Sequence, residues 1–255
     1  MLSGLTLAPL VSLASAEVSL TREEAARIGH KIWQNESGGS LSGLTAWNQG
    51  EDFASLGIGH FIWYPAGRPG PFEESFPPMV EFIRTRGPTL PPILSKNRHC
   101  PWNSRDEFQR NESAQPMRDL RKFLAATIDL QVAFLIERMN SALPKMLAAA
   151  PAAERQRISN QFHRLTNSAQ GCYALIDYVN FKGEGVLLTE RYQGRGWGLL
   201  QVLEGMADKG PTGSVTSEFA ESAARILRER VNNSPPARNE RRWLPGWLNR
   251  VASYR

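Results

Sequence analysis

Apolar residues recur every three or four positions over much of this chain, and the first such run carries its own start signal. Thr21 followed by Glu24 forms a capping box, in which each side chain satisfies a free backbone N–H of the other. Glu23 and Glu24 also suit the positive end of a helix dipole. Behind the cap, Ala25, Ile28, Gly29, Ile32 and Trp33 share one face, and Glu36 falls one turn beyond Ile32 on the same stripe. Gly38-Gly39 then ends the helix. From Met117 helical spacing returns in Leu120, Leu124, Ile128, Val132 and Leu135, and Pro144 is expected to stop or kink the helix beyond them. Ile158, Phe162 and Leu165 mark another helix, and Phe219, Ala223, Ile226, Leu227 and Val231 a late one.

A two-residue period appears after the first helix. A polar loop leads through Leu44 and Trp47 to the turn composition Asn48-Gln49-Gly50-Glu51-Asp52, and beyond it Glu51, Phe53, Ser55 and Gly57 alternate with Asp52, Ala54, Leu56 and Ile58. Leu56 and Ile58 read as core, which turns Glu51 and Ser55 together toward a cleft. A carboxyl on an apolar helix face must find a partner or hold its proton. Glycoside cleavage needs that kind of pairing: one protonated acid for the leaving oxygen, and one ionised carboxylate to direct water or stabilise a cationic sugar. Glu36 takes the first role in this reading. Glu51 is the first choice for the second, Asp52 the reserve, and Ser55 helps hold the water. Taken singly, each of these acids reads more readily as a solvated helix-end or turn residue.

Taken in order, helix, glutamate, loop, hairpin and Ser55-Leu56-Gly57-Ile58-Gly59-His60 resemble the phage-type lysozymes, the muramidases of phage endolysins. In that family a Glu closes the first helix, and an Asp and a Thr lie on the following hairpin, the Thr just before Gly-x-Gly-His. Ser55 stands where that Thr would be. The run Ala174-Leu175-Ile176-Asp177-Tyr178-Val179-Asn180-Phe181-Lys182-Gly183-Glu184-Gly185 is similar to the family's apolar helix ending in Asn-x-Gly-x-Gly, and Pro245-Gly246-Trp247-Leu248-Asn249-Arg250 is similar to its terminal Pro-Gly-Leu-Val-Asn-Arg. The resemblance implies an α+β, mainly α, two-lobed lysozyme-like fold, with a small hairpin lobe and a larger helical lobe. It implies peptidoglycan or a related polysaccharide as the substrate, and a structural His60 paired with an acid. The chain departs from the family in two places. Gln49 fills the family's Asp position when counted back from His60, and residues from about Pro65 to Phe123 have no counterpart. A second resemblance, of Trp197-Gly198-Leu199-Leu200-Gln201-Val202 and Glu36-Ser37 to goose-type lysozymes and lytic transglycosylases, has its two motifs much farther apart than in those families. It implies transglycosylase chemistry on the same substrate.

With 255 residues the chain can bury a large core and exceeds what a minimal lysozyme needs. The expected organisation is a signal peptide over 1–16 and one domain over 17–255, divided into helix plus hairpin (17–64), a Pro-rich insertion (65–123) and a helical part (124–255). Pro69, Pro71, Pro77, Pro78, Pro88, Pro91, Pro92 and Pro101 predict an irregular insertion, while Phe72, Phe76, Phe82, Ile93 and Trp102 argue for its partial packing. The apolar start ending Ala14-Ser15-Ala16 resembles a cleavage site and predicts export to the periplasm or outside the cell. It is too short for a comfortable membrane span. Cys100 and Cys172 are compatible with one disulfide or with two core thiols. No metal or cofactor is expected, because His99 beside Cys100 lacks further ligands and no phosphate or dinucleotide loop occurs.

A formal charge of +5 and a pI near 9.5 suit an anionic polymer such as a cell wall. Nucleic acid is not expected as a partner, since the basic residues are spread apart from Arg238 to Arg242. Trp47, Trp63 and Tyr64 flank the hairpin and are candidate flat surfaces for sugar rings. A non-catalytic wall-binding protein of lysozyme-like shape is the reading from a different class, motivated by Gln49 and the insertion.

Overall fold

The structure, a computed structural model, describes residues 20–70, 72–207 and 213–255. The predicted apolar stretch at 1–16 lies outside the described residues. Helix α1, Arg22–Ser37, begins as its sequence dictates: the Thr21 hydroxyl accepts from Glu24 N at 3.2 Å, and Thr21 N donates back to the Glu24 carboxylate at 2.9 Å. It ends where Gly38 turns left-handed at φ 61°, a conformation that costs glycine little. Ile28 and Ile32 are buried along α1, and each contributes about 1.5–3 kcal/mol by leaving water. That anchoring fixes the rotation of the helix and so the direction in which Glu36 points.

Three short strands follow: β1 Thr45–Ala46, β2 Ala54–Leu56 and β3 Phe61–Trp63, antiparallel in the order β1-β2-β3. Thr45 pairs with Leu56 and Ser55 with Ile62. The expected alternation of core and cleft faces is not found here, because every residue from Phe53 to Gly59 is buried. Phe53 packs edge-on against Tyr64 and Phe72, with ring centroids 5.3 and 6.0 Å apart.

The stretch expected to be irregular is helical. It forms α2 Phe76–Arg84, α3 Pro92–Ser95, α4 Arg105–Arg110 and α5 Gln115–Ala126, so a boundary at 123 falls inside α5. Its prolines start helices rather than break them: α2, α3 and α5 each carry proline in the first turn, where the missing N–H has no helical partner to lose. Phe76, Phe82, Ile93 and Trp102 are buried as anticipated, whereas Phe72 is exposed.

The rest is α6 Ile128–Ala149, α7 Arg155–Thr166, α8 Ala169–Lys182, a small hairpin of β4 Arg191–Tyr192 and β5 Arg195–Gly196, then α9 Leu199–Gly205, α10 Val215–Asn233 and α11 Leu244–Ala252. Pro144 does not stop its helix, since α6 runs on to Ala149. The molecule is thus mainly helical with a small antiparallel sheet. One connected core takes Ile32 from α1, Leu56 from β2, Phe76 from α2, Val132 from α6, Leu175 from α8 and Leu227 from α10. Cys100 and Cys172 are separate buried thiols, and burial pushes them up to about 12 and about 11, which keeps them protonated and unreactive. Among the described residues no helix is long and apolar enough to cross a membrane, and no cluster of metal-ligating side chains is found.

Candidate active site

The turn Gly57-Ile58-Gly59-His60 closes β2 onto β3 and is fastened from two sides. Gln131, fully buried on α6, accepts from Ile58 N at 2.9 Å, and Asn180 on α8 donates to Gly59 O at 2.9 Å. Gly57 sits at φ 73°, and a Cβ there would meet Gln131 Oε1 at 2.4 Å, so both the backbone and the space require glycine. His60 is also left-handed, at φ 48°. Its Nε2 lies 3.3 Å from Gly43 O, and since a carbonyl can only accept, Nε2 is the donor in that bond. Nδ1, the other ring nitrogen, faces Glu36, 3.7 Å from Oε2. The acid that pairs with His60 is Glu36 itself.

Glu36 is 15 % exposed at the end of α1 and sits among polar groups, not on the apolar surface its stripe predicted. Arg250 Nη2 donates to Oε1 at 2.6 Å and Asn180 Nδ2 approaches the same oxygen at 3.4 Å. Arg250 is anchored independently, with Nε 2.8 Å from Asp177 Oδ2 and Nη2 2.9 Å from Oδ1. Asp177 is fully buried and also accepts from Tyr254 at 2.6 Å and from Asn35 at 3.4 Å. Burial alone would lower the Arg250 pKa; the carboxylates of Asp177 and Glu36 overcome it and raise it well above its ordinary value. Asp177 already balances the arginine's charge. Arg250 thus has a carboxylate partner besides Glu36.

Glu51 precedes β2 in the loop. Burial raises its pKa, while bonds from Asn48 and Ser55 and the nearby His60 act in the opposite sense. Asn48 Nδ2 donates to its carboxylate at 3.0 Å, and the backbone carbonyl of Glu51 accepts from Trp47 Nε1 at 2.7 Å. Ser55 is itself buried, beside the Glu51 carboxylate whose ionised form it favours, rather than open to a cleft. His60 stands 3.7 Å from Glu36, and it is near enough to Glu51 to bear on the ionisation of that carboxyl as well. Asp52 and Gln49 are exposed beside it.

The aromatic residues chosen from sequence are not sugar platforms. Trp47, Trp63 and Tyr64 are 6 %, 1 % and 4 % exposed. Trp47 packs on Phe108, Trp63 lies between Phe76 and Trp102, and Tyr64 lies against Phe53, so their faces are already used by the core. Arg250, Asp177 and Asn180 were not chosen from sequence, although all three lie in the stretches that resemble lysozyme motifs. The signal for Asp177 was a lone acid inside the apolar run Tyr173 to Val179, a place where a charge must be paired. Gln201, in the goose-type motif, accepts from Gly198 N at 3.0 Å and donates to Gly185 O at 3.2 Å; it ties a loop to α9.

No family model, no curated protein and no solved structure matches this chain.

Because burial raises the Glu51 pKa in the folded state, its ionisation costs stability. That cost is absent below the unfolded value of 4.5 and accrues as pH rises through the higher folded value. Glu51→Gln is therefore expected to raise Tm relative to wild type at about pH 7 and to leave it unchanged at about pH 4. Thermal unfolding followed at both pH values checks this, and an equal shift at both would show that burial of the charge is not its source.

Proposed function

We propose that this protein is a peptidoglycan-cleaving glycosidase of the phage-lysozyme type, with a hairpin lobe and a helical lobe facing one another across the Glu36 site, and that it acts outside the cytoplasm. The observation that carries the reading is a carboxyl at the end of α1, held by an arginine whose charge a buried aspartate already balances, beside a second, desolvated carboxyl on the sheet side. Glu36 gives its proton to the glycosidic oxygen between N-acetylmuramic acid and N-acetylglucosamine as the bond from that oxygen to the anomeric carbon breaks. Glu51, ionised, stabilises the oxocarbenium-like centre or takes a proton from the water that adds to it. Ser55 and Asn48 hold Glu51 in orientation. Asp52, exposed beside it, is the reserve for this role. Since the second carboxylate must be ionised, the raised Glu51 pKa moves the acid limb of the activity profile upward.

The test is mass spectrometry of fragments released from purified cell walls. Hydrolysis leaves reducing ends, and transglycosylation leaves anhydro ends at the same bond. Walls that bind the protein yet release no sugar ends from acid to mildly alkaline pH would establish instead a non-catalytic binder, the reading that Gln49 at the family's Asp position favours.

A further inference from the structure

Beyond Arg250 the site continues into a row of rings. The Arg250 guanidinium lies 4.2 Å from the Phe181 centroid, Phe181 is 6.3 Å from Trp247, and Trp247 stacks on Trp243 at 6.1 Å with an interplanar angle of 29°. Trp243 and Trp247 are one helical turn apart at the start of α11, and Trp247 precedes Arg250 by three positions, so one short element carries both the rings and the Glu36 ligand. Trp243 is 43 % exposed, in contrast to the buried Trp47 and Trp63 on the sheet side.

A lysine is set into this row. Lys182 Nζ sits 3.5 Å from the Trp247 centroid and 3.9 Å from that of Phe181. Of the other cations in the cluster, Arg230 is bidentate on Glu240 at 2.8 and 2.8 Å and Arg250 is held by Asp177 and Glu36, while Arg242 lies over the Trp243 ring, 4.4 Å from its centroid. Among the described residues Lys182 meets rings only, with Glu240 and Glu36 acting on it from farther off. Burial, then repulsion from Arg230 and Arg250, holds its amine well below the usual value. An amine placed among cations, beside exposed aromatic surface and next to the acid, is a position where an incoming anion would favour the charged form and complete the cluster.

We infer that Trp243, Trp247, Phe181 and Lys182 form a saccharide subsite adjoining Glu36, in which a sugar ring lies on Trp243 and a carboxylate carried by the glycan binds Lys182. The inference rests on the glycan-cleaving reading and narrows it. In a wall glycan the sugar that carries a carboxylate of its own is the muramyl residue, through its lactyl group, and this group is free once the peptide has been removed. The preferred substrate is then a peptide-stripped strand, which an amide-cleaving reaction on intact peptidoglycan must first supply.

The experiment is calorimetric titration of the full chain carrying Glu36→Gln, with two probes: amidase-stripped alternating glycan and chitohexaose, which lacks the lactyl carboxylate. The stripped glycan is expected to bind roughly tenfold more tightly, the scale of one charge-assisted contact. Lys182→Met should abolish the preference, and Lys182→Arg should keep it. Trp243→Ala should weaken both probes by roughly three- to tenfold. Equal binding of the two probes, or a preference that survives Lys182→Met in a folded variant, overturns the carboxylate assignment, and unchanged binding by Trp243→Ala overturns the ring platform. Wild type that cleaves walls while these variants bind as before loses the subsite and keeps the activity. Wild type that releases no sugar ends while the probe preference follows Lys182 keeps the subsite and loses the activity.

Discussion

Glu36→Gln is expected to reduce turnover on purified peptidoglycan by at least about 100-fold, the lower end of what a positioned general acid supplies. The substitution keeps the shape of the side chain and an oxygen able to accept from Arg250 and Asn180, so it removes the transferable proton while preserving the geometry. Folding should change by less than about 1 kcal/mol, because Arg250 retains both of its bonds to Asp177. Reducing-end release at matched concentrations of folded protein reads the first quantity, and thermal unfolding reads the second. A glutamine variant that retains half of the wild-type rate would move the acid elsewhere, with Glu51 the next to replace.

Asp177→Ala addresses the support beneath that acid. The carboxylate is fully buried and takes three kinds of donor, from Arg250, Tyr254 and Asn35. Removing one member of a buried ion pair costs roughly 3–5 kcal/mol, and since Glu36 remains to meet Arg250 the lower end, about 3 kcal/mol, is expected. For a chain of this size that corresponds to a Tm lower by about 6–12 °C. The conservative Asp177→Asn keeps the volume and loses the charge, so it separates packing from pairing. Should either variant unfold within a degree of wild type, Asp177 is not what holds Arg250, and the support beneath Glu36 lies elsewhere.

Local signals were readable wherever short-range chemistry decides the structure. The capping box at Thr21, the left-handed glycine after α1 and the helical stripes of α7 and α10 were all visible, because capping and amphipathic spacing are properties of a few adjacent residues. The Pro-rich stretch misled because proline has two opposite meanings, a breaker inside a helix and a favoured first residue, and only the flanking buried Phe76, Met79 and Ile83 reveal which applies. The hairpin misled differently: alternation separates a buried face from a wet one only when one face is wet, and here both are covered. For the same reason Trp47, Trp63 and Tyr64, suitable in type, were unsuitable in place. Partners distant in the chain were the hardest to read. Nothing near Glu36 announces that its ligand is Arg250, and only the motif order hinted that the two ends of the chain meet.

The bond between Glu36 and Arg250 joins positions 214 residues apart. A nascent chain therefore exposes Glu36 well before it gains the guanidinium, which arrives only once Arg250 has left the ribosome. Closing so long a loop is slow relative to forming the local helices, so the carboxyl is among the last groups to reach its working environment. A chain that has not yet reached Arg250 lacks the partner that holds this carboxyl, and any reaction that depends on that partner is withheld until then.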